Sequence, residues 1–306
     1  MSDILELNEA AAPVAAGWRV GAYLELTKPR IIGLVLVVVA VGFFLSLRTQ
    51  ADWAAVTLLL HTVLGTALVA GGANTLNQYL EAEFDGRMSR TQDRPLPSGR
   101  LSRAEALACG TAIAATGLLY LALQTNPLCS LLAGLTLASY VFIYTPMKRR
   151  TPLCVYIGAV PGALPPVIGW AAGGGSLSME AWLLFAILFF WQLPHFAAIA
   201  WQYREDYARA GYPMLSVIDP DGVRTNLHVI THSVGLLAMS VLPVIAGLNG
   251  PVYGIGAVTL GVAFLACGVL FVAQKTAEVA RFHVLASVTY LPLLFGLMMI
   301  DRTPLP

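Results

Sequence analysis

Three oxygen-bearing side chains lie at the end of an apolar segment with a spacing that could bind a cation. Asn77, Glu81 and Asp85 are four residues apart, which places them on one face of a helix. Carboxylates are disfavoured at a helix C-terminus because the macrodipole is negative there, and like charges at this spacing repel each other. A divalent cation would reverse both effects, and oxygen ligands suit Mg²⁺. The spacing therefore predicts a magnesium site on Asn77, Glu81 and Asp85.

A run of arginines follows this acidic face directly, at Arg87, Arg90 and Arg94. Carboxylates that hold a metal ion, beside guanidinium groups that hold phosphate oxygens, are what a diphosphate site requires. The alternative is a solvated helix end whose acids and arginines pair with one another and anchor the helix at the membrane surface. The combination of the acidic face with the arginine run favours the diphosphate site.

A second polar segment ends a later apolar run and contains Glu205, Asp206 and Arg209. The stretch 78–81 (QYLE) aligns with 202–205 (QYRE), and each stretch precedes a long polar connection. This weak internal repeat predicts two halves that contribute to a shared site. We expect a second acidic wall in which Asp206 is the stronger candidate and Glu205 the next. The alternative is an ordinary charge cluster beside the membrane.

The composition places both motifs in a membrane protein. The 306 residues are 57% hydrophobic and only 11% charged, whereas a soluble domain carries roughly 25% charged residues. We therefore expect the outer face of the protein to meet the lipid bilayer. The net charge of +1 argues against a nucleic-acid partner. Apolar segments long enough to span the bilayer are found near 31–47, 55–76, 104–123, 128–146, 153–172, 180–201, 227–247, 252–273 and 283–300.

The distribution of basic residues predicts the orientation of these spans. Of the 18 Lys and Arg residues, all but Arg48 and Arg302 fall in the first 30 residues or in the connections after spans 2, 4, 6 and 8. By the positive-inside rule this basic side is cytoplasmic. We predict an all-α polytopic bundle, with residues 1–30 as a cytoplasmic tail without signal or transit character and 31–306 as a single transmembrane domain. Both polar motifs then lie on the cytoplasmic side.

Several motifs, in order along the chain, resemble one family of intramembrane enzymes. The stretch 77–96 resembles the first signature of the UbiA-type prenyltransferases. The stretches 144–151 (YTPMKRRT), 162–170 (GALPPVIGW) and 206–215 (DYARAGYPML) are similar to motifs of the protoheme IX farnesyltransferase, or heme O synthase, branch. The resemblance covers essentially the whole chain.

The resemblance implies a nine-helix bundle around a central cavity in the inner membrane of a bacterial cell. It implies transfer of a farnesyl group from farnesyl diphosphate to a vinyl group of heme B, giving heme O, with Mg²⁺ as cofactor and a heme A synthase as a downstream partner. The catalytic and metal-binding positions that it implies are Asn77, Glu81, Asp85 and Asp206. The diphosphate-binding positions that it implies are Arg90, Arg94, Lys148 and Arg149. The wider superfamily has two aspartates four residues apart in its second motif. Here Gln202 and Ala210 flank Asp206 at that spacing, so we expect the first motif to carry most of the metal and diphosphate.

His195 lies behind a proline within span 6, and an ionisable residue at membrane depth is a functional candidate. We predict contact of His195 with heme iron or a heme propionate; the alternative is a hydrogen-bonded interior histidine. His228 and His232 have a metal-ligand spacing that is weak by itself. Other functions stay open: prenyl transfer to an aromatic or another tetrapyrrole acceptor, transport, or heme binding without catalysis. A transporter should carry charges well inside several spans, where we find only His61 and His195 as ionisable residues.

Overall fold

The computed structural model describes residues 16–47, 52–174 and 176–303. Within these ranges the chain is helical, and nine segments are long and apolar enough to cross a membrane. They are Pro29–Ser46, Trp53–Asp85, Arg103–Gln124, Pro127–Met147, Cys154–Gly174, Met179–Gln202, Val223–Ile245, Pro251–Gln274 and Ala277–Ile300. The predicted all-α bundle with nine spans is confirmed. Arg48, expected on the outer side, lies outside the described residues.

The helices are numbered in chain order. The first half contains α1 (Ala16–Thr27), α2 (Pro29–Ser46), α3 (Trp53–Asp85), α4 (Arg103–Gln124), α5 (Pro127–Ala138), a π-helical turn (Ser139–Tyr144) and α6 (Thr145–Met147). The second half contains α7 (Cys154–Ala163), α8 (Pro165–Gly174), α9 (Met179–Gln202), α10 (Arg204–Ala210), α11 (Leu215–Ile218), α12 (Val223–Ile245), α13 (Pro251–Gln274) and α14 (Ala277–Ile300).

Local sequence signals explain where several of these helices begin. The Asp52 carboxylate caps α3, and Ser102 and Glu105 form a reciprocal capping box at the start of α4. The Asn126 side chain caps α5, whose first residue is a proline. Pro165 and Pro166 have no backbone N–H to donate, so span 5 is divided into α7 and α8.

Glycines allow α2 and α8 to pack with their backbones in close approach. A Cβ atom added to Gly42 would lie 2.0 Å from the carbonyl oxygen of Pro166, and one added to Gly169 would lie 1.9 Å from that of Val39. Small residues at such contacts are typical of helix packing in lipid, where apolar burial alone does not hold helices together. We call this contact the α2–α8 seam. It joins the first span to the fifth.

The helices follow a partly matching neighbour pattern in the two halves. Span 2 (α3) packs against spans 1, 3, 4 and 5, and span 6 (α9) packs against spans 5, 7 and 9. Each neighbour of span 6 is four spans after a neighbour of span 2. Span 4 breaks the match, because its counterpart, span 8, makes no comparable contact with span 6 among the described residues. The weak repeat expected from the sequence therefore stays a prediction.

Polar contacts tie the connections together at each end of the bundle. At one end Arg302 donates hydrogen bonds to the carbonyl oxygens of Phe44 and Leu47, so the end of α14 meets the end of α2. At the other end Lys28, before α2, reaches Asn77 near the end of α3. The second end is the one that carries both polar motifs.

Candidate active site

The first motif lies in the last turns of α3. This helix continues to Asp85, well past the predicted end of span 2 at residue 76, so the three oxygen-bearing residues belong to one unbroken helix. Asn77, Glu81 and Asp85 are all buried, with exposed fractions of 2%, 2% and 1%. Ionised carboxylates at such depth require partners, because an unpaired buried charge is very costly.

Basic side chains from distant parts of the chain supply these partners. Lys148, in the connection after α6, lies with its Nζ atom 3.0 Å from Oε1 of Glu81. Arg94, in the connection after α3, donates to Oδ2 of Asp85 at 2.7 Å. The structure thus brings together Asn77, Glu81 and Asp85 with two of the four predicted phosphate-binding residues.

Lys28 is a member of this group that sequence reasoning missed. Its Nζ atom donates to Oδ1 of Asn77 at 3.1 Å. Lys28 lies between α1 and α2 with a positive φ of 57°, which turns the chain so that the side chain points back at α3. The signal available in the sequence was the Lys-Pro pair at the start of the first span, since proline favours the first position of a helix. Residues 16–30, expected as a cytoplasmic tail, therefore include helix α1 and a site residue.

The cluster has an excess of positive charge. Among the described residues, Lys28, Arg94 and Lys148 surround the two carboxylates of Glu81 and Asp85. Burial, followed by the charge of Arg94, lowers the pKa of Lys28 to about 7. Burial also opposes the charge of Lys148, but the Glu81 carboxylate outweighs it and raises the pKa of Lys148. The group is suited to bind an anion of high charge.

Oxygen atoms in the cluster also fit a divalent cation. Oδ1 of Asp85 is buried and has no hydrogen-bond partner among the described residues. Such an orphaned carboxylate oxygen is costly unless a ligand completes it. The described residues contain no group of three or more His, Cys, Asp or Glu side chains placed to hold a metal ion. A cation here would therefore use Asn77 and phosphate oxygens in addition to the two carboxylates, a donor set typical of Mg²⁺.

A π-helical turn presents two tyrosines to this cluster. Pro146 cannot donate a backbone hydrogen bond, and the N–H of Thr145 reaches back five residues to the carbonyl of Tyr140. The Thr145 hydroxyl also donates to that carbonyl at 2.8 Å and accepts from Nδ2 of Asn77 at 3.1 Å. Tyr140 and Tyr144 stack with their ring centroids 5.4 Å apart. Sequence reasoning missed this pair, although Pro146 marked the irregularity.

The second motif is tied to the connection that follows the first. Oδ1 of Asp206 accepts hydrogen bonds from the backbone N–H of Ser89 at 3.2 Å and from Arg209 at 2.8 Å. Arg90 lies over the rings of Tyr203 and Tyr207, with its Cζ atom 5.2 and 5.4 Å from their centroids. The predicted residues Asp206 and Arg90 therefore join the two motifs, while the direct ion pairs of the cluster belong to the first motif.

A polar cavity of about 320 Å³ lies beside the second motif. Its lining includes Gln202, Glu205, Asp206, Arg209 and Lys275. Glu205, the second acidic candidate, is exposed. The cavity is open and strongly charged, so it offers a polar approach to the end of α9.

Arg149 is placed differently from the other predicted phosphate-binding residues. Its guanidinium group donates to the carbonyl oxygen of Leu80 and lies 4.2 Å from the ring centroid of Phe84. Arg149 thus satisfies a carbonyl in the last turns of α3, and the structure does not pair it with a carboxylate of the cluster. Its predicted contact with a phosphate oxygen stays a prediction.

The histidines of the second half make different contacts. His195, on α9, lies 2.6 Å from Oγ of Ser287 on α14 through its Nδ1 atom. His228 has both ring nitrogens engaged, with the Tyr156 hydroxyl at 3.1 Å and the Leu193 carbonyl at 3.2 Å. His232 bonds within α12, where its Nδ1 atom lies 2.6 Å from the His228 carbonyl oxygen. Hydrogen bonds therefore account for the ring positions of both histidines.

Comparisons with known proteins agree with the class of site that this geometry defines. Residues 35–290 match the UbiA prenyltransferase family. A protoheme IX farnesyltransferase of Solibacter usitatus (strain Ellin6076) is 48% identical, with 92% of this chain and 98% of that protein covered. A protoheme IX farnesyltransferase of Opitutus terrae is 42% identical, with 92% and 94% covered. The chain belongs to the UbiA prenyltransferase family.

Solved structures of low sequence identity share the fold. A structure described for digeranylgeranylglyceryl phosphate synthase superposes with a TM-score of 0.77 at 18% identity, covering 92% of this chain and 98% of that one. A UbiA homolog from Archaeoglobus fulgidus bound to GPP and Mg²⁺ superposes with a TM-score of 0.64 at 16% identity, covering 90% and 99%. The arrangement of spans is thus that of an integral, multi-pass membrane protein of this family.

Proposed function

We propose that this protein transfers the farnesyl group of farnesyl diphosphate to a vinyl group of heme B, giving heme O. The observation that carries the proposal is the buried cluster at the end of α3, in which the positive charges of Lys28, Arg94 and Lys148 exceed the negative charges of Glu81 and Asp85. Such a cluster suits a substrate that brings several negative charges. The farnesyl and heme identities follow the names of relatives that are 38–48% identical over most of the chain.

The basic residues of the cluster bind the diphosphate and stabilise it as it leaves. Breaking the allylic carbon–oxygen bond moves an electron pair onto the diphosphate. Charged donors that are already fixed in a buried site stabilise that developing charge without having to reorganise. Lys28 and Lys148 approach one face of α3 from other parts of the chain, and Arg94 reaches it from the connection after α3. Asp206 and Arg90 hold that connection against α10.

The residues that would hold Mg²⁺ are Asn77, Glu81 and Asp85. When bound, the cation neutralises charge on the diphosphate as a Lewis acid. The unpartnered Oδ1 atom of Asp85 supports this assignment. Asp206 has Gln202 and Ala210, and no second aspartate, at the positions four residues away, so we assign it a weaker share of the metal.

The reaction forms a carbon–carbon bond and adds a water molecule. The π electrons of the heme vinyl group attack the allylic carbon of the farnesyl group as the diphosphate departs. Water then captures the cation left on the other vinyl carbon and loses a proton, which gives a hydroxyethylfarnesyl side chain. Tyr140 and Tyr144 stack on each other in the turn that Thr145 joins to Asn77, and aromatic faces stabilise cationic character. The surrounding bundle excludes water until the new bond has formed.

The heme acceptor would bind beside α9, where His195 is the candidate contact. The central cavity implied by the family resemblance would hold the farnesyl chain and the acceptor together. We infer a bacterial inner membrane location with the basic end of the bundle in the cytoplasm, supported by the split of 16 and 2 basic residues. A heme A synthase as the next enzyme stays a prediction from the resemblance.

A product assay tests this function. The purified protein in detergent is incubated with heme B, farnesyl diphosphate and Mg²⁺. The porphyrins are then separated, and their masses are measured by mass spectrometry. We expect a product with the mass of heme B plus the farnesyl group and one hydroxyl group, and we expect chelation of the divalent cation to abolish it. Asp85→Ala should abolish product, whereas the matched variant Glu83→Ala should retain it, because Glu83 is exposed on the same helix and its ion pair among the described residues is with Arg87.

Other outcomes separate the alternatives. Prenylation of an aromatic acid, with heme B unchanged, would assign the protein a different acceptor. Heme binding without any prenylated product would support a binding scaffold and refute the proposed function. Full activity in the presence of a chelator would refute the assigned metal.

A further inference from the structure

His195 is held from one side by a hydrogen bond that selects its protonation state. Its Nδ1 atom lies 2.6 Å from Oγ of Ser287. The same Oγ atom lies 2.6 Å from the carbonyl oxygen of Val284, one turn earlier on α14. A carbonyl only accepts, so the single hydroxyl proton of Ser287 is committed to Val284. The Ser287 oxygen must then accept from His195, which assigns the proton of the neutral imidazole to Nδ1.

The opposite nitrogen of the ring is left with an unshared electron pair. In the described part of the chain, Nε2 of His195 makes no hydrogen bond and is not among the fully enclosed polar atoms. The ring is only half-buried, in contrast to His283, which is fully buried. Nε2 is therefore an unpaired lone pair that is not fully enclosed, at membrane depth and in the state in which imidazole binds a metal.

Neighbouring side chains fix the direction of this lone pair. The Trp191 indole stacks on the His195 ring with the centroids 4.8 Å apart and an angle of 17° between the planes. Trp191 itself donates from Nε1 to the Ser287 carbonyl oxygen at 2.7 Å. Ser287 thus anchors both rings to α14 through its two oxygen atoms. A ring held on one edge and one face has little freedom to turn.

We propose that Nε2 of His195 is the axial ligand to the iron of the heme acceptor, and that Ser287 is the positioning residue that fixes the ligating tautomer. This inference rests on the proposed function, because it takes heme B as the acceptor. It selects iron ligation over propionate contact, since a propionate carboxylate would require a donated proton and Nε2 carries none. Histidine ligation of heme iron, with the second ring nitrogen bonded to an oxygen, is a common arrangement.

The place of His195 along α9 suits this role. His195 lies seven residues before Gln202, which borders the polar cavity beside the second motif. Seven residues correspond to about 10 Å along a helix axis. An iron atom anchored at His195 would leave the edge of the macrocycle free to extend toward the charged end of the bundle, where the diphosphate is held.

Spectroscopy of bound heme B tests the ligand. The full-length protein is titrated with ferrous heme B, and resonance Raman spectra are recorded for an iron–histidine band. We expect the band in the wild type and not in His195→Ala. We expect His195→Gly to regain ligation when imidazole is supplied, which controls for loss of folding. Ser287→Ala should lower the affinity for heme B by roughly 10- to 100-fold, as does loss of the groups that orient a metal ligand at other sites.

Matched controls separate iron ligation from packing. Metal-free protoporphyrin IX has the same shape but no iron, so His195→Ala should leave its affinity unchanged. His61→Ala should leave the heme spectrum unchanged, because His61 lies on α3 and bonds to Tyr120 at 2.7 Å. An iron–histidine band that persists in His195→Ala, or an equal loss of affinity for both porphyrins, would overturn the proposed ligand. Wild-type protein that makes no prenylated heme would refute the proposed function instead.

Discussion

Replacement of Lys148 by methionine should weaken both the fold and the site, for reasons that can be separated. Lys148 and Glu81 form a buried pair at 3.0 Å, with side-chain exposed fractions of 9% and 3%. Removing one partner of such a pair costs about 3–5 kcal/mol because the other charge is left without compensation. Lys28 also lies near Glu81 and would compensate in part. We therefore expect a loss of about 3 kcal/mol in the free energy of unfolding.

The double variant Lys148→Met with Glu81→Gln removes both charges and separates the two effects. The free energy of unfolding should recover toward that of the wild type, with a coupling of about 1–3 kcal/mol between the two sites. Farnesyl transfer should not recover. A hydrogen bond to a charged group contributes about 1.5–3 kcal/mol, so loss of Lys148 alone should raise KM for the diphosphate roughly 10- to 150-fold.

Thermal unfolding in detergent, together with initial rates of farnesyl transfer, measures these quantities. Arg150→Met is the matched control, because Arg150 is an exposed basic residue in the same connection as Lys148. This control should change neither quantity by more than a small amount. If Lys148→Met were as stable as the wild type, the pair would not have the structural role described above. If the double variant were as active as the wild type, Lys148 would not have the binding role.

Three further predictions concern other parts of the molecule. Gly169→Ala should lower the free energy of unfolding by about 2 kcal/mol, because its Cβ would meet the Val39 carbonyl oxygen at 1.9 Å. In the same thermal assay Gly134→Ala should be tolerated, because the nearest atom to its Cβ is 3.7 Å away. Lys28→Ala should raise KM for farnesyl diphosphate about tenfold, equivalent to about 1.4 kcal/mol. The control is Arg30→Ala, at an exposed position. If the two variants had the same kinetics, Lys28 would not belong to the site. The inferred orientation places the end of the last span on the outer side of the membrane. Alkaline phosphatase fused after the last residue should therefore be active, and green fluorescent protein fused there should be dark. The opposite pattern would reverse the orientation.

The spans and the location of the polar motifs could be predicted because they depend on local composition. Nine apolar segments and their basic connections are visible in single stretches of sequence, and the i, i+4, i+8 spacing of Asn77, Glu81 and Asp85 follows from helix geometry alone. The continuation of α3 to Asp85 was harder to place. Its last turns are polar, and the helix persists because these side chains find partners inside the protein.

The partners themselves could not be predicted, because they come from remote parts of the chain. Lys28 precedes Asn77 by 49 positions, and its contribution depends on a left-handed turn that the sequence marks only by the following proline. Arg149 is adjacent to Lys148, yet it turns to the Leu80 carbonyl while Lys148 reaches Glu81. Which of two neighbouring basic residues enters the site is decided by the helical register before them, and hydrophobic patterning does not specify it.

The π-helical turn at Ser139–Tyr144 is equivalent to one residue added to an α-helix. Because the wide turn absorbs that residue locally, its loss would return the segment to α-helical hydrogen bonding and leave Lys148 in register beside Glu81. The stack of Tyr140 and Tyr144, which lies within the turn, is the part that would change. In an alignment of relatives, a gap of a single position between 139 and 144 would therefore mark a site that keeps its cation and loses its paired aromatic rings, even where the flanking motifs are identical.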